Sequence, residues 1–96
     1  MNIKKLRETL KVGDKVSVKY VVDSVFYSRY ADNPEMFLTP DIIGTVGATK
    51  VAAVNNSRRR PFGEYVCVDF LEPKTNKEQR ASVSYDNIIL VETAAI

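Results

Sequence analysis

Arg58, Arg59 and Arg60 stand side by side in the stretch NNSRRRPFG, residues 55–63. Three adjacent guanidinium groups repel one another, so they must be well solvated or rewarded by an anion. Guanidinium pairs bidentately with phosphate or carboxylate and stacks on flat rings. Asn55, Asn56 and Ser57 add hydrogen-bonding groups, Gly63 permits close backbone approach, and Phe62 offers a stacking face. Basic side chains with an interleaved aromatic suit a nucleic-acid site. The same stretch also suits an acidic protein surface, or a solvated hairpin tip kept basic to discourage edge pairing.

A second group lies upstream, where Tyr27, Arg29 and Tyr30 fall between Phe26 and Phe37. Tyrosine and arginine are enriched at the centres of protein interfaces, so these three residues are candidate partner contacts. The alternative is that the segment folds back, with Phe26, Met36, Phe37 and Leu38 covering an open end of the core. Charge separates the two groups. Residues 1–19 hold six basic and two acidic side chains, residues 23–41 hold four acids and one arginine, and residues 55–63 hold three arginines. Such poles orient partners even though the net charge is only +2.

Other chemistry is poorly served. The chain has no histidine and one cysteine, which removes the commonest general base and leaves no set of ligands for structural zinc. The carboxylates are scattered, and no GxGxxG, Walker-type or GxSxG pattern occurs. The expectation is a non-enzymatic protein without metal or cofactor. Cys67, between Val66 and Val68, reads as a small core residue. No apolar run approaches the roughly 20 residues that span a bilayer. The opening MNIKKLRETL lacks the apolar stretch of a secretory signal. A lone cysteine suits a reducing interior, so a cytoplasmic location is expected.

The elements that must position these residues read as mainly β. Ninety-six residues predict one domain over 1–96, with its core at about 12–92. NIKKLRETL suits a short helix, with Asn2 as cap and Ile3, Leu6 and Leu10 on one face. Gly13-Asp14 then turns the chain into a strand over 15–22. Val16, Val18, Tyr20 and Val22 should face inward there, and Lys15, Ser17 and Lys19 outward. Residues 23–41 have no sustained period and read as one long loop, a length that is often functional. Further strands are predicted near 42–53, 64–70, 80–84 and 88–92. Gly44 and Gly47 in the second suggest a bulge, a bend or close backbone approach. Tyr85-Asp86-Asn87 suits a tight turn or one helical turn. The expected core includes Val16, Val18, Val46, Val66, Val68, Val83 and Ile89.

Taken together, VGDKVSVKY, DIIGTVGATKV, EYVCVDF and RASVS-YDN-IILVE resemble, in that order, the strands of a Src-homology-3-like barrel of the KOW-type kind. The resemblance implies a five-stranded antiparallel barrel with a long first loop, longer than the family usually has. YADNP, a G-T-V strand and VCVDF together resemble small bacteriophage proteins of uncharacterised function, which implies host cytoplasm or virion as the location. Two functions are carried forward. The first is a nucleic-acid-binding barrel whose phosphate contacts are Lys15, Lys19 and Arg58 to Arg60, with Phe62 or Tyr27 stacking. The second is a protein-interaction or virion-assembly module docking through Tyr27, Arg29 and Tyr30, in a homo- or hetero-assembly.

Overall fold

The computed structural model describes residues 3–23, 37–52, 64–73 and 76–94. Helix α1 (Ile3–Thr9) leads and buries Leu6, with Leu10 just beyond it. Their four-residue spacing places both on one helical face; Ile3, one turn earlier, stays exposed. Gly13 ends this segment at φ +97°, a left-handed conformation that glycine adopts without steric cost.

Seven strands follow among the described residues: β1 (Lys15–Val18), β2 (Val22–Asp23), β3 (Phe37–Leu38), β4 (Gly44–Ala52), β5 (Glu64–Leu71), β6 (Glu78–Ser84) and β7 (Ile88–Glu92). Five form one antiparallel sheet in the order β6-β5-β4-β1-β7, while β2 and β3 pair as a separate short ladder. The mostly-β expectation holds, and the predicted strands near 42–53, 64–70, 80–84 and 88–92 all occur. The link Tyr85–Asn87 is a single 3-10 turn. No helix among the described residues is long and apolar enough to cross a membrane.

The first strand is shorter than its alternation predicts. Asn87 is the cause: its side-chain oxygen accepts the backbone N–H groups of Lys19 (3.0 Å) and Tyr20 (2.9 Å). That capture stops β1 at Val18 and turns Tyr20 outward, so Tyr20 is 73% exposed rather than inward-facing. Ser17 is corrected too. It lies on the outward side as expected but is buried, its hydroxyl donating to the Pro40 carbonyl at 2.7 Å. Residues 23–41 are not wholly irregular, because they include β3, which pairs with β2 at their start, Val22 opposite Leu38 and Asp23 opposite Phe37. Leu38 is fully buried and joins the core. This agrees with the fold-back reading for that one side chain.

Strand β5 lies between β4 and β6 and buries both faces. Val66, Val68 and Phe70 point into the core with Val16, Val18, Val46, Ala81 and Val83. On the outer face Tyr65 and Cys67 are also buried. A two-sided burial of this kind explains why EYVCVDF is apolar without alternation. Gly44 lies where β4 presses on β5, since a Cβ there would run into the Val68 side chain and the Asp69 carbonyl. One core expectation fails. Ile89 is 43% exposed, and Ile88 is the buried member of the pair. The 3-10 turn fixes the phase of β7 by delivering Ile88, whose N–H bonds the Tyr85 carbonyl, to the inner face opposite Val18.

Candidate functional site

Arg58, Arg59, Arg60 and Phe62 lie outside the described residues, as do Tyr27, Arg29 and Tyr30. The structure therefore places two of the sequence-derived candidates, Lys15 and Lys19, both exposed. Lys15 leans across to β4, its Nζ donating to Thr45 Oγ1 at 2.8 Å. Lys19 is held through its backbone by Asn87, accepted by both the carbonyl and the side-chain oxygen at 3.0 Å.

Between these two lysines the surface is apolar. The register sets Lys15 opposite Thr45, Val16 opposite Gly44 and Ser17 opposite Ile89. Extending it by one residue brings Ile43 beside Ser17. Ile43 (53% exposed) and Ile89 thus flank Ser17 in one row, with the Pro40 carbonyl over its centre. Val91 (51% exposed) stands two residues along the same face of β7, at an irregularity where Lys15 pairs with Glu92 and Val16 with Leu90. Exposed Tyr20 and Val21 follow the end of β1 beside Asn87. Exposed Val12 stands at the other end, next to Gly13, which packs near Ala94.

Six of the eight exposed large hydrophobic side chains among the described residues therefore gather on or beside β1 and β7, with Ile3 and Leu71 elsewhere. Contiguous exposed apolar surface is uncommon on soluble proteins and marks contact sites. Sequence reading singled out none of the six as surface contacts, yet a signal was present. IILV is apolar on both faces, although β7 is an outer strand with β1 as its neighbour. Charges of both signs surround the patch: Lys11, Lys15 and Lys19, and also Asp41 and Glu92, are exposed. Thr39 Oγ1 donates to the Asp41 carboxylate and, with the backbone, holds it below the usual carboxylate range.

The segment carrying the patch is held by one internal carboxylate. Asp14 is 1% exposed. Its Oδ2 accepts from the Lys11 N–H at 3.0 Å and its Oδ1 from the Ala94 N–H at 2.7 Å. Its carbonyl accepts from Val46 N–H at 2.9 Å. Asp14 thus ties the end of the helical segment, β4 and the chain after β7 into one corner.

A shallow hollow lies on another side, lined by Ile3, Arg7, Glu64, Tyr85 and Asp86. Its charges are largely spent on each other. Arg7 Nε donates to Glu64 Oε2 at 2.5 Å, which raises the Arg7 pKa and lowers that of Glu64. The Tyr85 hydroxyl accepts the backbone N–H of Lys50 at 2.9 Å. Lys50 has a positive φ of 52°, so this bond secures the kink where the β4–β5 register shifts between Ala48 and Val51. The hollow is a structural joint between α1, β5 and the 3-10 turn.

No group of three or more His, Cys, Asp or Glu among the described residues is arranged to hold a metal ion. No protein-family model matches the chain, and no curated protein or solved structure matches it either.

Proposed function

We propose that this chain is a non-enzymatic assembly module, a small Src-homology-3-like barrel that acts by docking against protein. The fold part of this reading draws on strand order and connection. A three-strand meander β4-β5-β6, a single 3-10 turn and a last strand returning to β1 support such a barrel, while the first link is longer than the family usually has. The short β2 strand also lies close to β6, as expected if the sheet curls toward closure.

The observation that carries the docking part is the gathering of six exposed hydrophobic side chains around β1 and β7. Phosphate binding calls for cations along a face, whereas Lys15 and Lys19 here bracket isoleucines. A photo-crosslinking residue at position 89 tests this when the chain is expressed in its own host. The expected adduct is a protein identifiable by mass, insensitive to nuclease and lost in Val91→Asp. A nuclease-sensitive adduct would overturn the reading in favour of nucleic acid.

Nucleic-acid binding is the second reading, and one observation favours it. Of the two acids within residues 1–19, Asp14 is turned inward and occupied by backbone donors. That leaves Glu8 as the exposed acid among five exposed lysines and Arg7. If this flank and Arg58 to Arg60 grip phosphates, affinity falls steeply with salt, by about 0.7–0.9 log units per contact for each log unit of salt. No salt-sensitive binding at about 50 mM salt removes that reading.

A further inference from the structure

We infer that the occupant of the β1–β7 face is a second copy of this chain, joined about a two-fold axis. The inference rests on the docking reading and names its partner. Two features of the face favour self-association over a foreign partner.

The first is its charge pattern. A surface built for an acidic or a basic partner carries one sign at its rim. This one carries exposed Lys15 and Lys19 together with exposed Glu92 and Asp41 around Ile43, Ile89 and Val91. A two-fold contact presents the same patch from both sides, so each cation can meet an anion of the other copy. Mixed signs around an apolar centre make the patch complementary to itself.

The second feature is size. Val12, Tyr20, Val21, Ile43, Ile89 and Val91 together leave on the order of 600 Å² open. Two copies would bury about 1,200 Å², the lower end of specific protein interfaces. The patch on one copy, met by itself, is therefore just enough.

The contact is between faces and does not extend the sheet by edge pairing. The irregularity at Val91 interrupts the regular ladder of β7, and such bulges make poor templates for a further strand. Among residues 88–90, Ile88 and Leu90 alternate with Ile89 in turning their N–H and carbonyl groups away from β1. The Lys19–Asn87 bond places Ser17–Ile89 as the next hydrogen-bonded pair, and the Ile88 N–H is taken by Tyr85.

Sedimentation equilibrium on the full chain tests the proposal, over about 1 μM to about 1 mM. The expected result is a reversible monomer–dimer equilibrium with a micromolar Kd. Ile89→Asp should weaken it by about tenfold or more with the melting temperature nearly unchanged, since the side chain is already wet. Leu71→Asp, which removes an exposed hydrophobic outside the patch, should leave the Kd within about twofold. Lys15→Glu and Glu92→Lys should each weaken the dimer, and mixing the two variants should restore association, a readout that the pairing of these residues within one copy cannot supply. A wild-type chain that stays monomeric throughout overturns the proposal, and so does a dimer indifferent to Ile89→Asp. If such a monomer still gives a position-89 adduct to another protein, the second copy is excluded and docking stands. With neither dimer nor protein adduct, both readings fall.

Discussion

The two halves of the outer sheet surface are finished differently. Over β4, β5 and β6 it is sealed apart from Leu71 at the end of β5: Tyr65, Cys67 and Ser82 are buried. A fork in which Arg80 donates from Nε to Asp69 Oδ1 (2.7 Å) and from Nη2 to Oδ2 (3.1 Å) closes over Gly47. Over β1 and β7 the surface is left open, with Ile43, Ile89 and Val91 in water. Both halves rest on the same core valines, so the difference does not come from core packing. It arises from which outward positions the sequence makes small or charged and which it makes branched and apolar. The half left apolar is the proposed docking face.

Substitutions on either half test this contrast. The largest loss is expected at the corner that holds the open half in place. Asp14→Ala orphans the Lys11 and Ala94 amides and should cost about 3 kcal/mol in denaturant unfolding. A cost under about 1 kcal/mol would mean that water replaces the carboxylate and that the corner is not a clamp. Next comes the shared core beneath the sealed half. Val68→Ala, at a fully buried position of β5, should cost about 1–3 kcal/mol. A neutral result would show the facing of β5 to be misassigned.

Smaller effects separate the two outer faces. Asp69→Ala opens the fork over Gly47, but both partners are substantially exposed, so the stability change should stay below about 1 kcal/mol. Ile89→Asp should change monomer stability by less than about 0.5 kcal/mol while weakening association by about tenfold or more. A large melting shift would place Ile89 in packing and erase the contrast.

The smallest effect is electrostatic. The Arg7 hydrogen bond, helped by the charges of Arg7 and Lys50, holds Glu64 below the usual carboxylate range. A lowered carboxylate contributes stability above its ordinary pKa and loses it as pH falls through the lowered value. Wild-type melting should therefore decline somewhat more on acidification below the usual carboxylate range than that of Glu64→Gln. Identical acid limbs would show that this exposed pair contributes nothing.

Much of the fold was legible in the sequence because several signals were local. Val16 and Val18 alternate with polar neighbours, EYVCVDF is apolar on both faces, and Tyr85-Asp86-Asn87 is too short for anything but one turn. What escaped depended on contacts distant in sequence. Ile88 and Ile89 are equally apolar neighbours, so composition gives no phase, and the turn before them chooses which is buried. Tyr20 continues the alternation of β1 but is pulled out of it by Asn87, 67 residues away. Asp14 reads as half of a Gly-Asp turn, and its partner at Ala94 lies 80 residues on. The candidate face was hidden for the same reason: Ile43, Ile89 and Val91 become neighbours through strand register. The arginines and tyrosines that stood out by type fall outside the described residues.

The Asp14 corner also bears on the order of events as the chain folds. Strands β4, β5 and β6 follow one another as a meander, and the β5–β6 turn is closed locally by bonds between Glu72, Asn76 and Lys77. Strand β1 can add to β4, but its ladder with β7 joins residues far apart in the chain, Val16 pairing with Leu90. Closing that span costs more chain entropy than closing a hairpin. The meander should therefore be formed at the transition state, and the Asp14–Ala94 bond should close after it. An interaction made late contributes little to folding speed and much to the lifetime of the native state. Asp14→Ala should accordingly speed unfolding while leaving refolding nearly unchanged, so that one carboxylate acts as the latch on a structure built without it.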